Sequence, residues 1–268
     1  MFILQFLEKA THVKTMNIVL IAVCAALYAV VGRLTDFGVT VGGVAFWPAA
    51  VIPAVFAFLF GPLTGGIGAA IGIFIRDMLF HGDPLLSLAA GVSSNFVMFF
   101  IIGYMCRSNL DWKRIGASAI IGSIIIGVGL SLPTVLLPAE TQAFTGLSAL
   151  QSLILFIVAV VVSLVVMVVV ARYWSEWTNY AVGSIIGLGV GATIVATVVW
   201  GYSQILFSPQ GYFKAPIGSS FIPIIFVWTF ATEIPFILLL GPPIAKAIMR
   251  AYPSWRPQLK SDKNTEQS

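Results

Sequence analysis

Residues 46–83 read FWPAAVIPAVFAFLFGPLTGGIGAAIGIFIRDMLFHGD, and this stretch decides the fold class. Two short apolar runs flank the turn Phe60-Gly61-Pro62-Leu63. Pro48, Pro53 and Pro62 start or break helices, while Gly61, Gly65, Gly66, Gly68 and Gly72 leave room for a neighbouring backbone. The stretch ends in Arg76, Asp77, His81 and Asp83, a cluster of ionisable groups in a chain where charge is rare. Broken, closely packed apolar helices that finish in a polar cluster are what a membrane protein needs around a small-molecule site.

Composition points the same way. The 268 residues are 59% hydrophobic and 9% charged, with a mean hydropathy of +1.01. No water-soluble fold of this length hides so much apolar surface, so the expectation is an all-α integral membrane protein. The pI near 9.2 does not signal a nucleic-acid surface, because the basic residues lie between apolar runs, where they set orientation. Cys24 and Cys106 fall inside apolar runs and read as reduced packing residues rather than a disulfide or metal site. No removable signal peptide is expected, since a basic start followed by a small-residue cleavage site is missing. The phosphate-binding pattern G-x-x-x-x-G-K-[ST] does not occur, so ATP is not bound by that route. No cofactor is implied.

Eight candidate spans lie near residues 15–34, 44–60, 62–80, 85–106, 115–137, 147–171, 180–207 and 217–249. Residues 1–14 are expected to form a cytoplasmic interfacial segment, 15–250 a single transmembrane domain and 251–268 a polar cytoplasmic tail, disordered from Pro253 onward. With both termini cytoplasmic, eleven lysines and arginines fall inside and only Arg33, Arg76 and Lys214 outside, which satisfies the positive-inside rule. The runs GSIIIGVG at 122–129 and GSIIGLGVG at 183–191 raise the question of a duplicated hairpin, but Gly183, Gly187 and Gly191 read better as a helix-packing face.

Four features can carry function. In the first span Ala22, Ala25, Ala26 and Ala29 form a stripe of small residues, which serves either packing within the chain or docking of a separate membrane subunit. Arg33 and Asp36 close the first span and Arg76, Asp77, His81 and Asp83 close the third, all at the outer face. Such charges serve as interfacial anchors or line a site. The interruption of GIFIRDMLF by Arg76 and Asp77 favours pairing or a cavity, with Arg76 as a clamp for a substrate anion. Trp47 reads first as a belt residue and second as a stacking surface for a flat ligand. Asn95 in the fourth span and Glu233 in the last are polar groups at membrane depth that demand partners. No second histidine lies near His81 and no ligand-spaced carboxylate set occurs, which argues against a metal centre.

These residues resemble a known family. AVCAALYA at 22–29, WPAAVIPAVFAFLFGPLTGGIGAAIGIFIRDML at 47–79 and DPLLSLAAGVSSNFVMFFIIGYM at 83–105 are similar to the first four helices of S components, the substrate-binding membrane subunits of energy-coupling factor (ECF) vitamin transporters. The segment EIPFILLLGPPIAKAI at 233–248 is a weaker match to their last helix. The resemblance implies a plasma-membrane protein that captures a vitamin or related micronutrient and works with a transmembrane coupling subunit and two ATPase subunits. It implies docking at Ala22 and Ala26, with Ala25 and Ala29 as the register alternative. It also implies a lid over about 35–46 and a pocket at the outer ends of the third, fourth and last helices; the candidate substrate-binding residues are Arg33, Asp36, Trp47, Arg76, Asp77, His81, Asp83 and Asn95. The departure is length, because the family core has six helices and eight are counted here, so that 115–171 reads as an extra hairpin. A membrane-embedded enzyme and a non-transporting assembly protein are the alternatives.

Overall fold

The computed structural model describes residues 15–36, 40–41, 44–108, 177–208, 211–219 and 221–257, together with single helical positions at 150, 154, 157, 161, 165 and 169. The interfacial segment expected at 1–14, most of the hairpin expected over 115–171 and the last part of the tail lie outside the described residues. Six helices are described: α1 (Thr15–Leu34), α2 (Val51–Phe60, entered through the 3-10 turn Pro48–Ala50), α3 (Pro62–Phe80), α4 (Pro84–Cys106), α5 (Thr178–Ile205) and α6 (Phe221–Ala251). All but α2 are long and apolar enough to cross a membrane, so the chain is a multi-pass helical membrane protein. A two-stranded hairpin, β1 (Thr40–Val41) and β2 (Val44–Ala45), is the one departure from an all-α fold among the described residues.

The second passage, expected as a short, proline-bearing span near 44–60 that could be kinked or broken, becomes helical only at Pro48. Helix α2 and its leading 3-10 turn cover Pro48–Phe60, which spans only about 20 Å at helical rise. Strand β2 at Val44–Ala45 and the non-helical Phe46 and Trp47 lead into it. Pro48, at the first position of the 3-10 turn, marks the change. Non-helical backbone at membrane depth is tolerated where protein surrounds it or it lines a cavity, and Val44, Ala45 and Trp47 line one.

The α2–α3 turn is built at Gly61, whose φ of +112° suits a residue without a Cβ. Arg107, just beyond α4, reaches across to this corner and donates to the carbonyls of Ala57, Phe58 and Leu59 and to that of Gly103. It thereby satisfies acceptors that the end of α2 leaves open. Helix α1 packs on α3 because Gly68 and Gly72 present no side chain: a Cβ there would stand 2.7 Å from Cys24 Cβ and 2.8 Å from the Ala25 carbonyl oxygen. The expected glycine face of α5 is real, with Gly183, Gly187 and Gly191 lying against Ile102, Met105 and Met98 of α4. Cys24 and Cys106 are both free and buried.

Helix α6 runs unbroken for 31 residues with Pro235, Pro242 and Pro243 inside it, about 46 Å at helical rise and longer than a hydrocarbon core. The tail expected to be disordered from Pro253 is ordered at its start. Pro253–Trp255 forms a 3-10 turn, and Trp255 lies against Phe60 and Tyr252.

Candidate functional site

The last turn of α3, the start of α4 and the segment after α1 meet at one end of the bundle. Arg76 sits there in the place of a hydrophobic residue, with its side chain 5% exposed. Its Nη2 donates to Asp36 Oδ2 at 2.7 Å, and its Nη1 donates to Asp77 Oδ1 at 3.2 Å. The guanidinium also lies 4.6 Å from the Trp47 ring centroid and 4.2 Å from that of Phe80. Asp77 Oδ2 accepts from Ser87 Oγ at 2.8 Å, and His81 Nε2 stands 3.8 Å from the same oxygen. His81 Nδ1 accepts from the Asp83 backbone N–H, which leaves the Nε2 side of the imidazole turned to Asp77.

A second polar chain crosses the bundle below this cluster. Trp47 Nε1 donates to Tyr28 Oη at 2.7 Å, Tyr28 Oη donates to Asn95 Oδ1 at 2.6 Å, and Asn95 Nδ2 donates to the Gly91 carbonyl. These links join α1, the extended second passage and α4, so three sequence-distant segments are held in one register.

Between the two polar sets lies a cavity of about 90 Å³. Arg76, Asp77, His81, Asn95 and Glu233 supply its ionisable and amide groups, and Trp47, Ile73, Leu86, Val195, Val199 and Phe213 are among its apolar walls. Its α4 wall is a π-helical segment, Ser87–Val92, whose wider turn is a common accompaniment of functional sites. Gly91 in that segment allows the approach to Asp77, because a Cβ there would meet Asp77 Oδ2 at 2.6 Å. Two atoms of the cavity groups are buried without a hydrogen-bond partner: Arg76 Nε and Glu233 Oε2. Over the cavity, strand β2 is tied to α6 by Trp228 Nε1, which donates to the Val44 carbonyl at 2.8 Å. Tyr212, packed against His81, completes the rim, and burial pushes its phenol above the ordinary value, partly offset by the nearby Arg76 charge.

The sequence candidates divide. Trp47, Arg76, Asp77, His81 and Asn95 line the cavity, and Asp36 reaches it through Arg76. Arg33 does not line it and is exposed at the end of α1. Asp83 also stands outside the lining: it caps α4, accepting from the Leu85 and Leu86 N–H groups and from Tyr202 Oη at 2.6 Å. Trp47 is no belt residue, because it is 4% exposed and fully engaged inside the bundle. Both terminal nitrogens of Arg76 are held by carboxylates, which leaves Nε as its unpartnered nitrogen. Glu233, unassigned from sequence, belongs to the cavity. Tyr28 was missed; a tyrosine between Ala25 and Ala29 in an otherwise aliphatic helix was the available signal.

The alanine stripe is two faces rather than one. Ala25 and Ala29 are buried against the bundle, and Ala22 and Ala26 are exposed on the far side of α1. Among the described residues no cluster of three metal-ligating side chains occurs. No family model, curated protein or solved structure matches the chain.

Proposed function

We propose that this protein is the substrate-capturing membrane subunit of an ECF-type importer for a vitamin or related micronutrient. The observation that carries the reading is the cavity at one end of the helical bundle, apolar in its walls and furnished with buried polar groups from α3, α4 and α6. A pocket of this kind suits a small molecule, and the sequence lacks a phosphate-binding loop, so in this reading the energy comes from separate subunits. The exposed Ala22 and Ala26 give a coupling subunit a place where two helices can approach closely. In this reading the protein lies in the plasma membrane with both termini cytoplasmic and the cavity end outward, as the distribution of lysine and arginine requires.

The test is purification of the tagged full chain from its native membrane. A transmembrane coupling protein and two ATPases are expected to accompany it, and native mass spectrometry is expected to find a retained small molecule. Replacing both Ala22 and Ala26 by Leu is expected to abolish uptake while the purified protein keeps its bound molecule. Uptake that survives the double change would overturn the docking assignment. A chain that purifies alone and empty would overturn the transport reading in favour of an enzyme or an assembly protein.

A further inference from the structure

The positive charge that Arg76 suggests from sequence is not on offer to a ligand in the cavity. Arg76 is neutralised twice over, by Asp36 at 2.7 Å and Asp77 at 3.2 Å. Its hydrogen bonds and ring contacts hold the guanidinium in place, and only Nε lacks a partner. The charged groups on the lining are Arg76, Asp77, His81 and Glu233, with Asp36 behind Arg76. Held between Asp36 and Asp77, Arg76 presents no surplus positive charge to the cavity. Among the described residues Glu233 is the lining acid outside this ion-pair cluster. It is 5% exposed, lines the cavity from α6, and its Oε2 has no hydrogen-bond donor. A buried carboxyl oxygen with no donor is costly at membrane depth, and that cost is relieved by whatever brings a donor to it.

We infer that the cavity takes an organic cation: a small molecule whose N–H-bearing, positively charged head meets Glu233 and whose apolar body lies among Trp47, Leu86, Val199 and Phe213. The orphaned Arg76 Nε–H adds a second requirement, one acceptor atom on the same molecule. A carboxylate or phosphate ligand is disfavoured, because Arg76, already neutralised by Asp36 and Asp77, offers it only Nε–H, and Glu233 lines the same cavity. The inference deepens the capture reading and rests on it for the idea that the cavity is a ligand site.

Three probes of one shape and different charge test it: benzamidine, a planar amidinium; benzamide, neutral; and benzoate, an anion. Each is titrated by calorimetry into the full chain in nanodiscs. Benzamidine is expected to bind at least tenfold more tightly than benzoate, with benzamide between them, and Glu233→Gln is expected to remove the preference. Equal or tighter binding of benzoate, or no binding of benzamidine, overturns the inference. A preference that survives Glu233→Gln overturns the role given to Glu233. Should that variant fail to fold, the ranking in the unaltered protein decides. The two readings fail separately. An anion retained through purification alongside coupling subunits would sink the cationic ligand and leave capture standing. Benzamidine binding by a chain that recruits no coupling subunit would do the reverse.

Discussion

Removing the charge of Arg76 while keeping its stem, as Arg76→Met, breaks two contacts at once. Asp36 and Asp77 lose the guanidinium that bridges them, and their side chains are 2% and 8% exposed, too little for water to replace it. An exposed ion pair would contribute about 0–1 kcal/mol. A buried one that loses a partner leaves an uncompensated charge, at a cost of about 3–5 kcal/mol. Retained Ser87 Oγ donation to Asp77 softens the loss on that side, so the lower end, about 3 kcal/mol, is the working figure. At about 2–4 °C per kcal/mol for a chain of this size, the midpoint of thermal unfolding should fall by about 6–12 °C. The assay is intrinsic tryptophan fluorescence of the detergent-solubilised protein, followed on heating, with size-exclusion chromatography before and after. Adding Asp36→Asn to Arg76→Met should recover part of the loss, because one of the two stranded carboxylates is then gone. A single variant that melts within about 1 °C of the parent would refute the argument, since only a solvated pair costs so little to break.

Two further predictions rest on other parts of the fold. Gly72→Ala should destabilise by about 1–3 kcal/mol, because the new Cβ meets backbone, the Ala25 carbonyl oxygen at 2.8 Å. Gly189→Ala on α5, where nothing lies within 4 Å, should instead stabilise by roughly 0.5–1 kcal/mol, and melts that move the same way in both would contradict the α1–α3 contact. Asp83 titrates below its ordinary value of 3.8: partial burial pushes it up, but hydrogen bonds from Tyr202 and from the Leu86 and Leu85 N–H groups outweigh that. A lowered carboxyl contributes stability above its ordinary value and loses it as pH falls, so Asp83→Asn should lower the melting midpoint at neutral pH. The difference from the parent should shrink as pH falls below 3.8; melts displaced by a constant amount across that range would show that the cap does not act through its charge.

The membrane class, the long helices and the Gly61 turn were legible because each depends on local properties. Apolar length, proline at helix starts and a glycine at positive φ act through a few neighbouring residues. The packing faces of glycine were legible for the same reason, since helical spacing places Gly183, Gly187 and Gly191 together whatever lies opposite. The extended entry to the second passage was not, because Val44–Trp47 is apolar enough to read as helix. Its conformation answers to the cavity beside it and to the Trp228–Val44 hydrogen bond from a helix far along the chain.

By itself the sequence determined which residues had to be accounted for. Arg76, Asp77, Asn95 and Glu233 stand in apolar runs, and the cost of a bare polar group there guarantees a partner or a ligand for each. Which of the two each one has is a matter of position in space, and only the tertiary structure decided it. It brought Asp36 and Asp77 to Arg76 and Tyr28 to Asn95, and it left Glu233 Oε2 with no donor in a cavity wall. It divided the alanine stripe as well, since the packing of α3 against one side of α1 leaves Ala22 and Ala26 outside. The physical reason is common to all of these. The sign and strength of an electrostatic site depend on distances between groups far apart in sequence, and no spacing along one chain contains those distances.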